Sequence, residues 1–193
     1  MPPFAVKVDG FLLPTRLSGH PALELCNTVA RWDEPPEHRK EWLTTPAHLA
    51  TWAVFAGLAE QRPPVDDAVL AEVRELRAVA YRLLRHRDES AFPTLVRYAD
   101  DANARTTLTR TDGAVGFVLK PSDDPRRTLH AAALAVVDLL GSPGRDTVRA
   151  CPGEGCGWLF LDPRGRRTWC LMAVCGNRAK VRAHAARKRT GPG

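Results

Sequence analysis

With 193 residues, 44% of them hydrophobic and 26% charged, the chain has room for one large domain, or for a medium domain with a small appendage, and is too apolar to be wholly disordered. No apolar run reaches the roughly 18 residues of a membrane helix, and Lys7, Asp9, Gly10 and Pro14 break up the apolar pieces near the N-terminus, which argues against a secretory leader. The net charge of +6 is unevenly spread: residues 145–193 carry eleven Arg and Lys against three acids, net +8, leaving −2 for residues 1–144. A near-neutral body followed by a strongly basic tail predicts two parts with separate cores, a polyanionic partner for the tail, and a cytoplasmic protein with reduced thiols.

In chain order, residues 21–32 read as a helix with Pro21 near its start. Thr45-Pro46 supplies a cap and a first-turn proline for a helix to about residue 58. Asp66 can cap a long helix to about residue 87, in which Val69, Leu70, Val73, Leu76, Val79, Ala80, Leu83 and Leu84 recur at steps of three and four, the buried stripe of an amphipathic helix. Further helices are predicted over 93–108 and 125–140, with a short strand at 114–119. Gly141-Ser142-Pro143-Gly144 then ends the helical part. Beyond it, residues 147–150 and 158–161 are short β-type runs, 163–166 a turn, and 177–189 an Ala/Arg/Lys-rich helix.

Four of the five cysteines, Cys151, Cys156, Cys170 and Cys175, follow a Cys-x4-Cys-x13-Cys-x4-Cys pattern. Two close pairs on separate turns bring four thiolates around one ion at little loop-closure cost, and four thiolates leave no open coordination position. The pattern therefore predicts one structural Zn²⁺ per chain, with an iron–sulfur cluster the main rival. So small a segment has few apolar residues, so metal binding should supply much of its folding free energy. Cys26, in Leu23-Glu24-Leu25-Cys26-Asn27, reads as a small buried hydrophobe.

The stretch from Arg149-Ala150-Cys151 through Cys156-Gly157-Trp158-Leu159-Phe160 and Arg166-Arg167-Thr168-Trp169-Cys170 to Cys175-Gly176-Asn177-Arg178 resembles the CGNR zinc finger, named for that last tetrapeptide. The apolar run ending in Asn27-Thr28 resembles the ABATE domain, the usual partner of that finger. The resemblance covers nearly the whole chain. It implies a stress-related transcription regulator that binds DNA through the finger and has no enzymatic activity. Pro163 stands where the family more often has Ser, which removes a phosphate-binding hydroxyl from the turn.

At 100° per residue Arg178, Arg182 and Arg189 fall on one stripe of the last helix, with Lys180 and Arg187 opposite. Arg164, Arg166 and Arg167 add charge from the preceding turn. Arg164, Arg166, Arg167, Arg178, Lys180, Arg182 and Arg189 are therefore the candidate nucleic-acid contacts, through phosphates and, for Arg178 or Arg182, base edges. Arg178 reads equally as a brace for the zinc site. A single finger is small, so tight specific binding calls for a homodimer or a second contact surface.

In the helical part Trp32, Trp42 and Trp52 read either as core or as the wall of a small-molecule cavity. Asn27, Thr28 and Arg31 are the candidate effector contacts, although Asn27 also reads as a buried amide satisfied within the core. No spaced histidine motif, nucleophile–base pair or Gly-rich phosphate loop is evident.

The fold expected is a mainly α N-terminal domain over 1–144 and a small zinc-binding α+β module over 145–193, treble-clef-like or ribbon-like. The function expected is a DNA-binding transcription regulator with an effector site, cytoplasmic and nucleoid-associated, with no membrane partner. Two alternatives stand beside it: an adaptor that binds protein or RNA, and an enzyme domain braced by the finger.

Overall fold

The computed structural model describes residues 2–111 and 113–189. Strands β1 (Ala5–Val8) and β2 (Phe11–Pro14) form an antiparallel hairpin closed by Asp9 and Gly10, whose φ angles of 47° and 88° suit the tight Asp-Gly turn. Helix α1 (Pro21–Cys26) is capped by His20, whose ring accepts from the Ala22 amide. It ends six residues before the expected position 32. Asn27 closes it, the Thr28 hydroxyl donates back to Leu25 O (2.6 Å), and Arg31 adopts a left-handed φ of 63° that no helix tolerates. The chain then pairs β3 (Val29–Ala30) with β4 (Lys40–Glu41).

Helix α2 (Pro46–Phe55) begins as expected, with Thr45 Oγ1 accepting from the His48 amide. Asp66 caps α3 (Asp67–Tyr81) through the Val69 amide, and the predicted stripe is buried. Past Tyr81 the helix widens into a π-helical turn, Arg82–His86, which Arg87 terminates. Helix α4 (Phe92–Asn103) stops before the expected residue 108, because Thr106 opens a strand. Strand β5 (Thr106–Thr111) pairs antiparallel with β6 (Ala114–Leu119). The alternating threonines are β-branched and favour the extended chain. Helix α5 (Arg127–Gly141) packs against α4, α1 and α3.

A 3₁₀ turn, Pro143–Thr147, leads to β7 (Val148–Ala150), which pairs with β8 (Leu159–Leu161). A second π-helical turn, Met172–Gly176, feeds directly into α6 (Asn177–Arg189). A hairpin followed by a helix is the treble-clef-like form.

The two parts do not have separate cores. Val148 and Leu159 of the zinc module are buried in the main cluster with Leu23, Leu25, Leu76, Tyr81 and Leu129. Ala5 and Trp42 of the helical part are buried in the module's own cluster, with Trp158, Phe160, Cys151, Cys170 and Cys175. The expectation of independent cores fails because a module this small cannot bury Trp158, Leu159 and Phe160 by itself. Among the described residues no helix is long and apolar enough to cross a membrane.

Candidate metal centre and basic surface

Cys151 follows β7 and Cys156 precedes β8, so the first pair sits on the knuckle that joins the two strands. Cys170 precedes the second π-helical turn and Cys175 lies within it. The four Sγ atoms lie within 4.8 Å of one another, and the Cys156–Cys170 and Cys170–Cys175 separations are both 3.6 Å. A tetrahedral Zn²⁺ with Zn–S bonds of about 2.3 Å needs sulfur–sulfur edges of about 3.8 Å, so the donor set fits the ion. A multi-iron cluster places several atoms between its thiolates and needs a wider spread. The Cys151 thiol is held far below its ordinary range by hydrogen bonds from Cys156, Cys170 and Cys175, and the same sharing keeps Cys156 and Cys170 protonated. Cys175 is likewise held below its ordinary range, and thiols packed this closely are ready to exchange protons for a cation. The protein thus carries one structural Zn²⁺ site with all four positions filled from the chain.

Glycines permit this closeness. A Cβ on Gly153 would stand 2.9 Å from Cys175 Sγ, and one on Gly176 would overlap the Met172 sulfur. Arg167 supplies the counter-charge. Its guanidinium donates to Leu17 O (2.8 Å), Trp169 O (3.1 Å) and Cys170 O, and lies over the Phe160 ring at 4.2 Å. Four thiolates around Zn²⁺ leave a net charge of −2, which a half-buried guanidinium offsets at short range. Arg167 is therefore taken from the expected phosphate contacts: its donors are spent inside. The brace expected of Arg178 is supplied by Arg167, and Arg178 is exposed in the first turn of α6.

The expected effector residues are also used internally. Asn27 is fully buried and clamps Leu159 from both sides, its amide nitrogen donating to Leu159 O (2.9 Å) and its oxygen accepting from Leu159 N (2.8 Å). Thr28 Oγ1 accepts from Arg77, itself paired with Glu41. Arg31 contributes its backbone amide to Cys156 O (3.0 Å). The polar side-chain atoms of Asn27 and Thr28 therefore have partners within the protein and are committed to its core, whereas the Arg31 side chain is exposed. Trp52 is core, and Trp32 stacks on Tyr81 at 4.1 Å. Trp42 is also buried, beneath Lys40. Further bonds cross between the two parts: Trp158 Nε1 to Val29 O (2.9 Å), Tyr81 Oη to Gly157 O (2.8 Å) and Leu161 N to Ser18 O (2.9 Å). Buried Glu24 holds the Ser18 segment through the Leu17 and Ser18 amides. Cys26 is buried and its thiol is pushed up to about 12 by burial, so it is inert core.

The remaining basic residues face outward. Arg164, Arg166 and Lys180 are exposed, and the turn that presents the first two is fixed by Asp162, which accepts from the amides of Arg166 and Arg167. Arg182 is paired with Glu154 of the zinc knuckle, so it is tied to the metal loop and does not stand beyond it. The side chain of Arg189 lies outside the described residues.

Residues 147–188 match the family model described as "CGNR zinc finger", and residues 19–143 match the one described as "Putative stress-induced transcription regulator", ABATE. Comparison with curated proteins returned no match. A buried four-cysteine centre clamped to a helical body, with the two models covering both parts in sequence, places the chain in the ABATE family of CGNR zinc-finger proteins.

Proposed function

We propose that the protein is a transcription regulator that binds DNA through α6 and the 163–166 turn, and that it is not an enzyme. One observation carries this reading. Helix α6 is exposed from Val181 through Lys188, contains no acidic residue, and is joined to the zinc module by its first turn and by the Arg182–Glu154 pair. A basic helix held at one end by a metal and left uncovered along its length has the form of an element that enters a groove or lies along phosphates. Arg164, Arg166, Arg178, Lys180 and Lys188 supply the charge, and Arg182 joins them once it leaves Glu154.

Titration of duplex DNA between 50 and 300 mM salt tests the reading. With about five phosphate contacts, log affinity should fall against log salt with a slope between about −4 and −5. Lys180→Ala should flatten that slope by about one, with zinc retained. Glu154→Gln should tighten binding, since it releases Arg182 and removes a like charge from the phosphate path. No binding at the lowest salt, with zinc measured in place, would leave α6 as the docking helix of an adaptor for protein or RNA.

A further inference from the structure

The β5–β6 ribbon carries apolar side chains into water. In its antiparallel register Leu108 faces Phe117 and Arg110 faces Val115, and residues two apart share a side, so these four lie on one face. Leu108, Val115 and Phe117 are 60%, 57% and 70% exposed. Among the described residues the ribbon has no third strand, and beyond its own pairing β6 has a foothold on α5. A two-stranded ribbon left this bare is marginal in water until something covers it. Arg110 is the only charged residue of the two strands and has no ionic partner among the described residues. Asp112, in the turn, lies outside them.

A recess of matching character lies at the other end of the same helices. Helices α4 and α5 run antiparallel, since Asp101, late in α4, meets His130, early in α5, at 3.0 Å. The ribbon leaves the end of α4 and returns to the start of α5, so it springs from that end of the pair. At the opposite end, about 18 Å away along the 12 residues of α4, is an open cavity of about 710 Å³. Leu95 is buried at its base, and Phe92, Val96 and Val137 on its walls are exposed. Its charge leans acidic. Arg87 and Arg145 both meet Asp146, which leaves Glu89 and Asp100 without an ionic partner among the described residues. Apolar walls with two unpaired carboxylates complement an apolar ribbon with one unpaired guanidinium.

We propose that the β5–β6 ribbon is a dimerisation arm that seats in the α4–α5 cavity of a second copy of this chain. Leu108 and Phe117 enter between Phe92 and Val137 of the other copy, and Arg110 reaches its acidic rim. Arm and cavity sit at opposite ends of one helix pair, so a two-fold axis across the middle of α4 and α5 brings each arm to the other copy's cavity end. The exchange then closes on itself, whereas a one-way contact would leave an arm and a cavity unfilled and grow into a chain. An aromatic side chain brings about 150–250 Å², and the six apolar side chains of one contact are about half bare. One contact therefore covers on the order of 500 Å² and two about 1,000 Å², the lower edge of a specific interface. The dimer should accordingly come apart in the micromolar range. The proposal does not rest on the DNA reading.

Sedimentation velocity of the zinc-loaded full chain, between about 1 and 200 μM, should show its mass pass from one chain to two. Phe117→Asp, on the arm, and Val137→Glu, in the cavity, are both at positions open to water. Each should hold the protein monomeric over that range, with zinc content and cooperative melting retained. Arg110→Glu should raise the dimer Kd about tenfold by setting a third carboxylate against Glu89 and Asp100. A parent chain that stays monomeric at about 200 μM overturns the proposal. Association lost in Phe117→Asp but kept in Val137→Glu also overturns it, because the arms would then be pairing edge to edge. A mass that climbs past two chains would overturn the reciprocal exchange.

Discussion

In the helical body, arginines pair with acids on their own and neighbouring elements. Arg77 meets Glu41, Arg126 meets Glu72 and Asp101, and Arg105 meets Asp101 and Asp124. In the zinc module Arg167 is spent bracing the metal and Arg182 is held by Glu154, while Arg164, Arg166, Arg178 and Lys180 are left exposed. The body supplies most of the apolar core and uses charge to fasten one element to another. The module has four thiols, a few aromatic residues and a set of bonds to the body, and it carries its charge outward. The body is thus the structural platform without which a basic helix on so small a base would have no fixed orientation.

The largest test of this contrast is removal of the metal. Structural zinc contributes an apparent 10–16 kcal/mol or so in small peptides. Cys170→Ser should therefore lose the ion and unfold the module. Because Trp158 and Leu159 are buried among body residues and Asn27 is clamped to Leu159, the body should suffer as well, its melting temperature falling on the order of 10 °C. Elemental analysis and circular dichroism report the two effects separately. A zinc-free variant whose body melts unchanged would show that the two parts are mechanically independent.

Asn27→Ala attacks the clamp with the metal left alone. It strips one donor and one acceptor from the buried Leu159 peptide groups, and each orphaned group costs about 1–3 kcal/mol. The variant should lose about 2–5 kcal/mol in denaturant unfolding and still contain one zinc. Loss of zinc at the same time would place Asn27 in the folding of the module itself, beyond its attachment.

The order of legibility along the chain follows from the range of each interaction. The stripe of α3 and its Asp66 cap were readable because helical spacing and capping are local, and the four cysteines because metal-ligand spacing is a sequence pattern. The β1–β2 hairpin was legible in Asp9-Gly10, a strong turn signal, but was read only as an interruption of an apolar run. Thr106 and Thr107 fall inside the helix expected to run to 108, which in fact stops at Asn103 before the threonine-rich strand. What the sequence could not disclose is long-range. Asn27 lies 132 residues from Leu159, and Arg167 lies 150 from Leu17. No periodicity or charge pattern tells a clamp from a ligand contact, or a brace from a phosphate contact.

A smaller effect is expected from two glycines compared at one substitution. Gly157 has φ +70°, and a Cβ there would stand 2.9 Å from Trp32 Cβ and 3.0 Å from Tyr81 Oη, across the seam between module and body. Gly165 has φ +63°, with no atom within 4 Å of a Cβ. Gly165→Ala should cost only the backbone term, about 1 kcal/mol. Gly157→Ala should cost that plus the displacement of Trp32 or Tyr81, about 2–3 kcal/mol together. Equal costs would mean that the seam yields freely.

The smallest effect lies wholly in the body and should spare the module. Asp101 accepts from Arg105 and Arg126 (2.9 Å) and lies 3.0 Å from the buried His130 ring. Burial pushes its carboxyl up, but the His130 hydrogen bond and the Arg126 and Arg105 charges outweigh burial and hold it below its ordinary 3.8. A carboxyl depressed in the folded state stabilises fully above its unfolded value, and that contribution is lost as pH falls through the lower folded value. Asp101→Asn should therefore cost about 1–2 kcal/mol at neutral pH. The gap between variant and parent should close as pH drops below 3.8, because the parent is then losing the same interaction. Urea unfolding at several pH values measures that gap, and DNA affinity at neutral pH should not move. A cost that stays constant into acid would mean that Asp101 acts through its shape and hydrogen bonds and that its charge is idle.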